Sequence, residues 1–213
     1  NRAFGERIAA LAATEALQAI VAVLLLAPSP PLLFMGEEFA AASPFLFFCD
    51  FRGELANAVR EGRRAEFARF AAFSDTTARE RIPDPNDPAT FERSKLDWTC
   101  LGRSAHARWL ECYRRLLALR HRHVVPLLPR LAGDARYRLH GGSAIEVSWP
   151  MQGGACLAML ANLGGQLQSG LARIQATPFY ASHDALATGL SRGVLEPWSV
   201  AWLVGNATQG LDA

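Results

Sequence analysis

The stretch Leu17–Leu26 is apolar on nearly every side, and a helix of that kind is stable only inside a larger body. Thr14 is placed to cap its N-terminus, and Glu15 lies favourably against the positive end of the helix dipole. The apolar run Ala19–Ala27 stops at Pro28, Pro30 and Pro31, well short of the roughly 20 residues that cross a membrane. A short apolar run follows, Leu32-Leu33-Phe34-Met35, closed by Gly36, Glu37 and Glu38. It predicts one buried strand ending in carboxylates. A buried helix followed by such a strand is the pattern of the final units of a (β/α)8 barrel, whose strands are covered on both faces.

Further along, 54–73 predicts a helix with Leu55, Val59, Phe67 and Phe70 on related faces. Residues 74–97 are polar and carry Pro83, Pro85 and Pro88, which predicts a long loop. Ser104 is placed to cap another helix, whose Trp109, Leu110, Tyr113, Leu116 and Leu117 form one apolar stripe before Pro126 ends the pattern. After Pro129 the texture changes. Ile145, Val147 and Trp149 alternate with polar or small residues, Cys156–Leu160 is apolar on both faces, and Val200, Trp202 and Val204 alternate again. Gly141-Gly142, Gly153-Gly154 and Gly164-Gly165 mark tight turns. The expected fold class is therefore α/β plus all-β: the last unit or units of a (β/α)8 TIM barrel over 1–127, then a small C-terminal antiparallel β-sandwich over 128–213.

Charge and composition narrow the function classes. Twenty-two Lys and Arg against twenty Asp and Glu leave a formal net charge of +2, which argues against nucleic acid or membrane as partner and fits a neutral substrate. Arg114, Arg115, Arg120 and Arg122 read as a solvated helix face beside Glu111. Cys49, Cys100, Cys112 and Cys156 lack metal-ligand spacing, and His106, His121, His123, His140 and His183 are scattered, so no metal site and a cytoplasmic setting are expected. The chain starts at Asn1, without Met and without a charged segment leading into an apolar one, and so reads as truncated and without a signal peptide. No glycine-rich phosphate loop points to nucleotide chemistry.

Four segments, in order and spacing, carry a family resemblance. Asn1-Arg2-Ala3-Phe4-Gly5-Glu6-Arg7 is similar to the segment that follows the seventh barrel strand, and 31–38 to the eighth strand. Ser43–Phe48 with Asp50 resembles the loop after it, and Ile82–Trp98 is the most specific match. On these the chain resembles the C-terminal portion of the malto-oligosyltrehalose trehalohydrolases, α-amylase-type glycoside hydrolases. The resemblance implies a parent enzyme that cleaves the α-1,4-glucosidic bond next to the terminal trehalose, by a retaining mechanism and without cofactor or metal. It also implies that the catalytic Asp, Glu and Asp lie upstream of Asn1, so that this chain holds no catalytic residue and is inactive alone. Its partners would be a malto-oligosyltrehalose or maltodextrin substrate and the missing N-terminal part of the barrel. Cys49 and Phe51 depart from the Thr and His usual in the family, and Phe39 from a common Trp.

Four residues are candidates for substrate contact. Glu38 ends the expected strand; neighbouring strand residues point to opposite faces, which disfavours Glu37 and Glu38 as a catalytic pair. Phe39, like Phe48, has a ring suited to a sugar face, with core packing as the other reading. Asp50 can accept sugar hydroxyls or cap a turn. Arg2 can reach the site mouth or pair with Glu6. Two other functions fit: a non-catalytic carbohydrate-binding or scaffolding module using exposed Trp149 or Trp198, and another amylase relative such as a glucan branching enzyme.

Overall fold

The computed structural model of the chain describes residues 3–206. Its helices are α1 (Ile8–Leu11), α2 (Thr14–Leu26), α3 (Gly53–Phe67), α4 (Thr76–Glu80), α5 (Pro88–Ser94), α6 (Ser104–Leu119) and α7 (Leu186–Arg192). Its strands are β1 (Arg136–His140), β2 (Ala144–Pro150), β3 (Ala155–Asn162), β4 (Gln168–Ser169), β5 (Tyr180–Ala181), β6 (Val194–Leu195) and β7 (Ser199–Asn206). The chain divides into two compact units, one of Asn1–Ala12 with Phe34–Leu110 and the other of Ala13–Leu33 with Glu111–Ala213. The units are thus interleaved along the chain.

The first unit is built of short helices and turns. One small core gathers Ala3, Phe67 and Ile82 with Phe4 and Phe73, and another gathers Phe39, Ala41 and Cys100 with Leu96, Leu101 and Leu110. The segment expected to be a long loop contains two helices, because each has its own start signal. Asp75 accepts from the backbone N–H groups of Thr77 and Ala78, and Asp87 from that of Ala89. Pro88 sits in the first turn, where its missing N–H is no loss. The helix expected over 54–73 ends at Phe67, and a 3-10 turn, Ala71–Phe73, follows.

Leu32–Met35 corrects the sequence reading. It forms no strand: Leu32 is 88% exposed, and Phe34 and Met35 are exposed too. A barrel strand is held by parallel neighbours, whereas every strand pairing among the described residues is antiparallel and lies within 131–206. The barrel part of the expected fold is therefore not formed by the described residues.

The second unit holds a five-stranded antiparallel sheet in the order β1-β2-β3-β7-β5 and a two-stranded pair β4-β6. One sheet face, with Ala158, Leu160, Ala201 and Leu203, is covered by Leu171, Ile174, Leu186, Leu190 and Leu195. The second layer is thus a strand pair and a helix, so the β-rich region is a sheet with a mixed cover rather than two full sheets. On the other face Leu157, Met159, Val200 and Trp202 are buried, and α2 packs against β7. Alternation in β2 is present, but the buried positions are Ala144, Glu146 and Ser148, with Ile145, Val147 and Trp149 half-buried. Glu146 is accommodated by His140, whose Nε2 lies 3.1 Å from its carboxylate.

Helix α2 begins at Thr14, with Ala13 in the capping position and Glu15 in the first turn. It buries Leu17, Val21, Leu25 and Leu26 but exposes Ile20 and Leu24, so it is one-sided within this unit. Its C-terminal end is satisfied by Arg120. That side chain donates to the carbonyl oxygens of Leu25 (3.1 Å), Ala27, Pro28 (3.3 Å) and Ser29 (3.0 Å), and burial lowers its pKa. A cation at this end also opposes the negative pole of the helix. Arg120 is 7% exposed and continues the buried line Tyr113, Leu116, Arg120, Val124. It is a structural anchor and not part of a solvated face. Asn162 plays a comparable part at the far end of β3. It donates to the carbonyls of Gln166, Leu195 and Glu196 and accepts from Ser143 Oγ and the Gly164 N–H.

Candidate functional site

Two of the residues expected to contact substrate, Glu38 and Phe39, lie in the first unit, in a tight turn at 35–43. Gly36 has φ +88°, and a Cβ there would come within 2.7 Å of Leu96 Cδ2 and 2.9 Å of Ala41 Cβ. Only glycine meets both demands. The chain then forms a 3-10 turn, Glu37–Phe39, and leaves it through Ala40 at φ 52°. Glu37 and Glu38 are therefore turn residues, not strand residues. Glu37 accepts from the Phe34 N–H (3.3 Å) and Glu38 from the Gly36 N–H (2.9 Å). Each carboxylate folds back on its own turn, which fits a supporting role and not an opposed acid and nucleophile.

Arg7 ties this turn to the start of the chain. Its Nε donates to the Ser43 carbonyl (2.9 Å) and its Nη1 to the Met35 carbonyl (2.7 Å), and the guanidinium lies over the Phe34 ring at 5.2 Å. Burial lowers its pKa, while the nearby charges of Glu37 and Glu38 push it back up. Two residues earlier, Gly5 accepts from the Phe45 N–H at 2.8 Å. A Cβ on Gly5 would stand 2.4 Å from the Phe45 carbonyl, so this close approach also requires glycine.

Phe39 is 1% exposed, and its ring packs against Trp98 at 5.5 Å and His106 at 6.5 Å. His106 Nδ1 donates to the Phe39 carbonyl at 2.8 Å. With no open ring face, Phe39 is a core residue and not a sugar platform. The exposed ring of this cluster is Trp98, at 59%. The sequence held a signal for it, since Trp98 closes the Ile82–Trp98 segment next to a capping Asp97. Phe48 is half-buried between Phe45 (5.8 Å) and Phe91 (5.1 Å), both edge-on, which is the core-packing alternative.

Asp50 stands apart from that turn. The loop around it is held by Asn86, whose Oδ1 accepts from the Phe51 N–H (2.9 Å) and Cys49 Sγ (3.3 Å), and the Cys49 N–H donates to the Pro85 carbonyl (2.8 Å). Asp50 itself is exposed, and α3 starts from Arg52 with no side-chain cap. The capping reading thus falls away, leaving a carboxylate on a braced loop. Of the four predicted contacts, Glu38 and Phe39 share one turn, Asp50 lies in another loop, and Arg2 falls outside the described residues.

Other features of the molecule fit no catalytic assembly. A cleft of about 420 Å³ is lined by Glu111, Arg114, Arg115 and Arg122, and one of about 370 Å³ by Glu61, Arg64, Arg79 and Glu80; neither includes a predicted site residue. Trp149 is half-buried and stacked on Trp202 at 5.4 Å, and Trp198 is half-buried, so neither presents a fully exposed ring, whereas Tyr137 on β1 is 73% exposed. Among the described residues no group of three or more His, Cys, Asp or Glu side chains is placed to hold a metal ion. No helix among them is long and apolar enough to cross a membrane.

Comparison with known proteins agrees with this picture. Residues 132–202 match the family described as Domain of unknown function (DUF3459). The solved structure named "Putative alpha Amylase from Salmonella typhimurium" superposes with a TM-score of 0.83 at 38% identity, over 96% of this chain and 33% of that one. The chain is thus similar to a part of an α-amylase-family protein.

Within that class, the malto-oligosyltrehalose trehalohydrolase of Deinococcus radiodurans is 40% identical over 166 residues, 77% of this chain and 26% of the relative. That of Arthrobacter ramosus is 46% identical over 121 residues, 56% of this chain and 20% of the relative. The chain is therefore similar to the C-terminal portion of the malto-oligosyltrehalose trehalohydrolases, as its motifs imply, and spans about a quarter or less of their length.

Proposed function

We propose that this chain is the C-terminal part of an enzyme that hydrolyses the α-1,4-glucosidic bond next to the terminal trehalose of malto-oligosyltrehalose, releasing trehalose and a shortened maltodextrin in the cytoplasm. The observation that carries the reading is the similarity, at 40% and 46% identity, to proteins of that name. In this reading 1–127 completes the catalytic barrel and 128–213 is the appended β domain. Leu32–Met35, without a strand partner here and exposed at Leu32, Phe34 and Met35, is then the eighth strand, which takes its parallel neighbours from upstream residues.

The chemistry follows the retaining route, with a carboxylate nucleophile and a carboxylic acid roughly 5 Å apart across the scissile bond, both supplied upstream. The described residues offer support and contact only. Glu38 shapes the turn at the site mouth, Asp50 presents a carboxylate to sugar hydroxyls, and Trp98 presents an exposed ring to a pyranose face. Arg2, outside the described residues, is a further candidate for substrate contact.

Substrate preference tests the reading. A polypeptide extended upstream through a whole barrel should release trehalose from malto-oligosyltrehalose and act far more slowly on a plain maltodextrin of equal length. Equal rates on the two would point to a general amylase, and transfer of glucan to a branch point would point to a branching enzyme.

A further inference from the structure

Arg7 is an expensive residue for its position. It is 8% exposed, burial lowers its pKa, and its Nη2 has no hydrogen-bond partner among the described residues. A buried donor left unsatisfied costs stability, and an apolar side chain of similar volume would fill the same space without that cost. What an apolar side chain lacks is the ability to hold two carbonyls at once. Nε and Nη1 bracket the turn at Met35 and Ser43, and between those two points lie the left-handed Gly36, the backbone N–H that Glu38 accepts, and Glu38 itself. Gly5, two residues before Arg7, makes the second tie, to Phe45.

From this geometry we propose that Arg7 is a positioning residue for the reaction proposed above, fixing the 35–43 turn, and with it Glu38, against the start of the chain. The inference rests on that functional reading for its catalytic consequence, but the tether itself does not depend on it. The hydrogen bonds of Arg7 go to backbone only, and its guanidinium packs over the Phe34 ring. Its loss lets the turn relax, and a displacement of the order of 1 Å at a site mouth can cost roughly 100-fold in rate.

Two measurements test the proposal. In the 213-residue chain, amide hydrogen exchange of residues 36–41 should accelerate by about tenfold or more in Arg7→Met, because two charge-assisted hydrogen bonds are gone, and by less in Arg7→Lys, which keeps one donor. Unchanged exchange would overturn the tether. In the upstream-extended polypeptide, Arg7→Lys should lower kcat about 10- to 100-fold with KM little changed. A double-mutant cycle with Glu38→Gln should be non-additive, since both changes act through one turn. Additive losses, or a fall in melting temperature with kcat intact, would reduce Arg7 to a packing residue and overturn the proposal. Faster exchange together with no activity on malto-oligosyltrehalose would instead uphold the tether and contradict the functional reading.

Discussion

Replacing Arg120 by Met removes a side chain that satisfies the end of α2 while keeping a similar apolar length. The four carbonyls it serves are not equal. Leu25 is buried and Ala27 and Pro28 are half-buried, while Ser29 is exposed and can turn to water. The half-buried Ala27 and Pro28 carbonyls keep part of their hydration and count together as about one, so with Leu25 about two acceptors are stranded, and at about 1–3 kcal/mol each they give a loss of about 2–6 kcal/mol. Relief of the buried guanidinium's desolvation offsets about 1–2 kcal/mol of this, leaving about 1–4 kcal/mol. For a domain of this size that corresponds to a fall in melting temperature of roughly 2–16 °C. Urea unfolding of the chain should show a lower midpoint at unchanged slope, and Arg120→Lys, which keeps the charge but not the fork, should fall between Met and wild type. A loss below about 0.5 kcal/mol in Arg120→Met would refute the reasoning, because it would mean that these carbonyls are solvated or that the anchor carries no net free energy.

Three further outcomes are expected. Asn162→Ala should cost about 2–4 kcal/mol by unfolding, and Asn162→Asp more at neutral pH, since a carboxylate would face the carbonyls of Gln166, Leu195 and Glu196; the Asp penalty should shrink as the pH falls. Gly5→Ala should destabilise by more than about 2 kcal/mol, because φ is +62° and the new methyl would overlap the Phe45 carbonyl, and near-neutral stability would contradict that close approach. Asp97 is held below its usual carboxylate range first by the Thr99 hydroxyl and then by the Thr99 N–H. Its folded pKa is depressed, so its contribution to the 98–102 turn is complete above the unfolded carboxylate value and is lost as pH falls through the folded one; an NMR titration should place its midpoint below 3.8, and Asp97→Asn should abolish that pH dependence.

What the sequence revealed depended on whether the deciding interaction was local. Strands β2 and β7 and helix α6 are legible because alternation and the 3.6-residue stripe are written in consecutive side chains, and β3 because its run is apolar on both faces. The capped helices α4 and α5 were missed because three prolines outweighed Asp75 and Asp87, although an Asp-Pro step is itself a helix start. Arg120 reads with Arg114, Arg115 and Arg122 as a solvated face beside Glu111 and the apolar stripe, but its register, seven residues after Tyr113 and four after Leu116, places it on the buried line. Leu32–Met35 failed as a strand for a non-local reason, since pairing is a property of neighbours and not of the run itself. The burial of Phe39 was equally invisible, being decided by Trp98 and His106 some sixty residues away in sequence. Asp50 and Glu38 were found by type and position, but that Glu38 serves its own turn and that Asp50 caps nothing required the geometry.

The most direct test of the account's central claim, that the chain contributes barrel end and β domain but no catalytic carboxylate, is trehalose release from malto-oligosyltrehalose measured side by side for the 213-residue chain and for one extended upstream through a complete barrel. Release by the longer polypeptide alone is the predicted result. Release by the 213-residue chain would contradict it and return Glu37, Glu38 and Asp50 to consideration as the reacting groups.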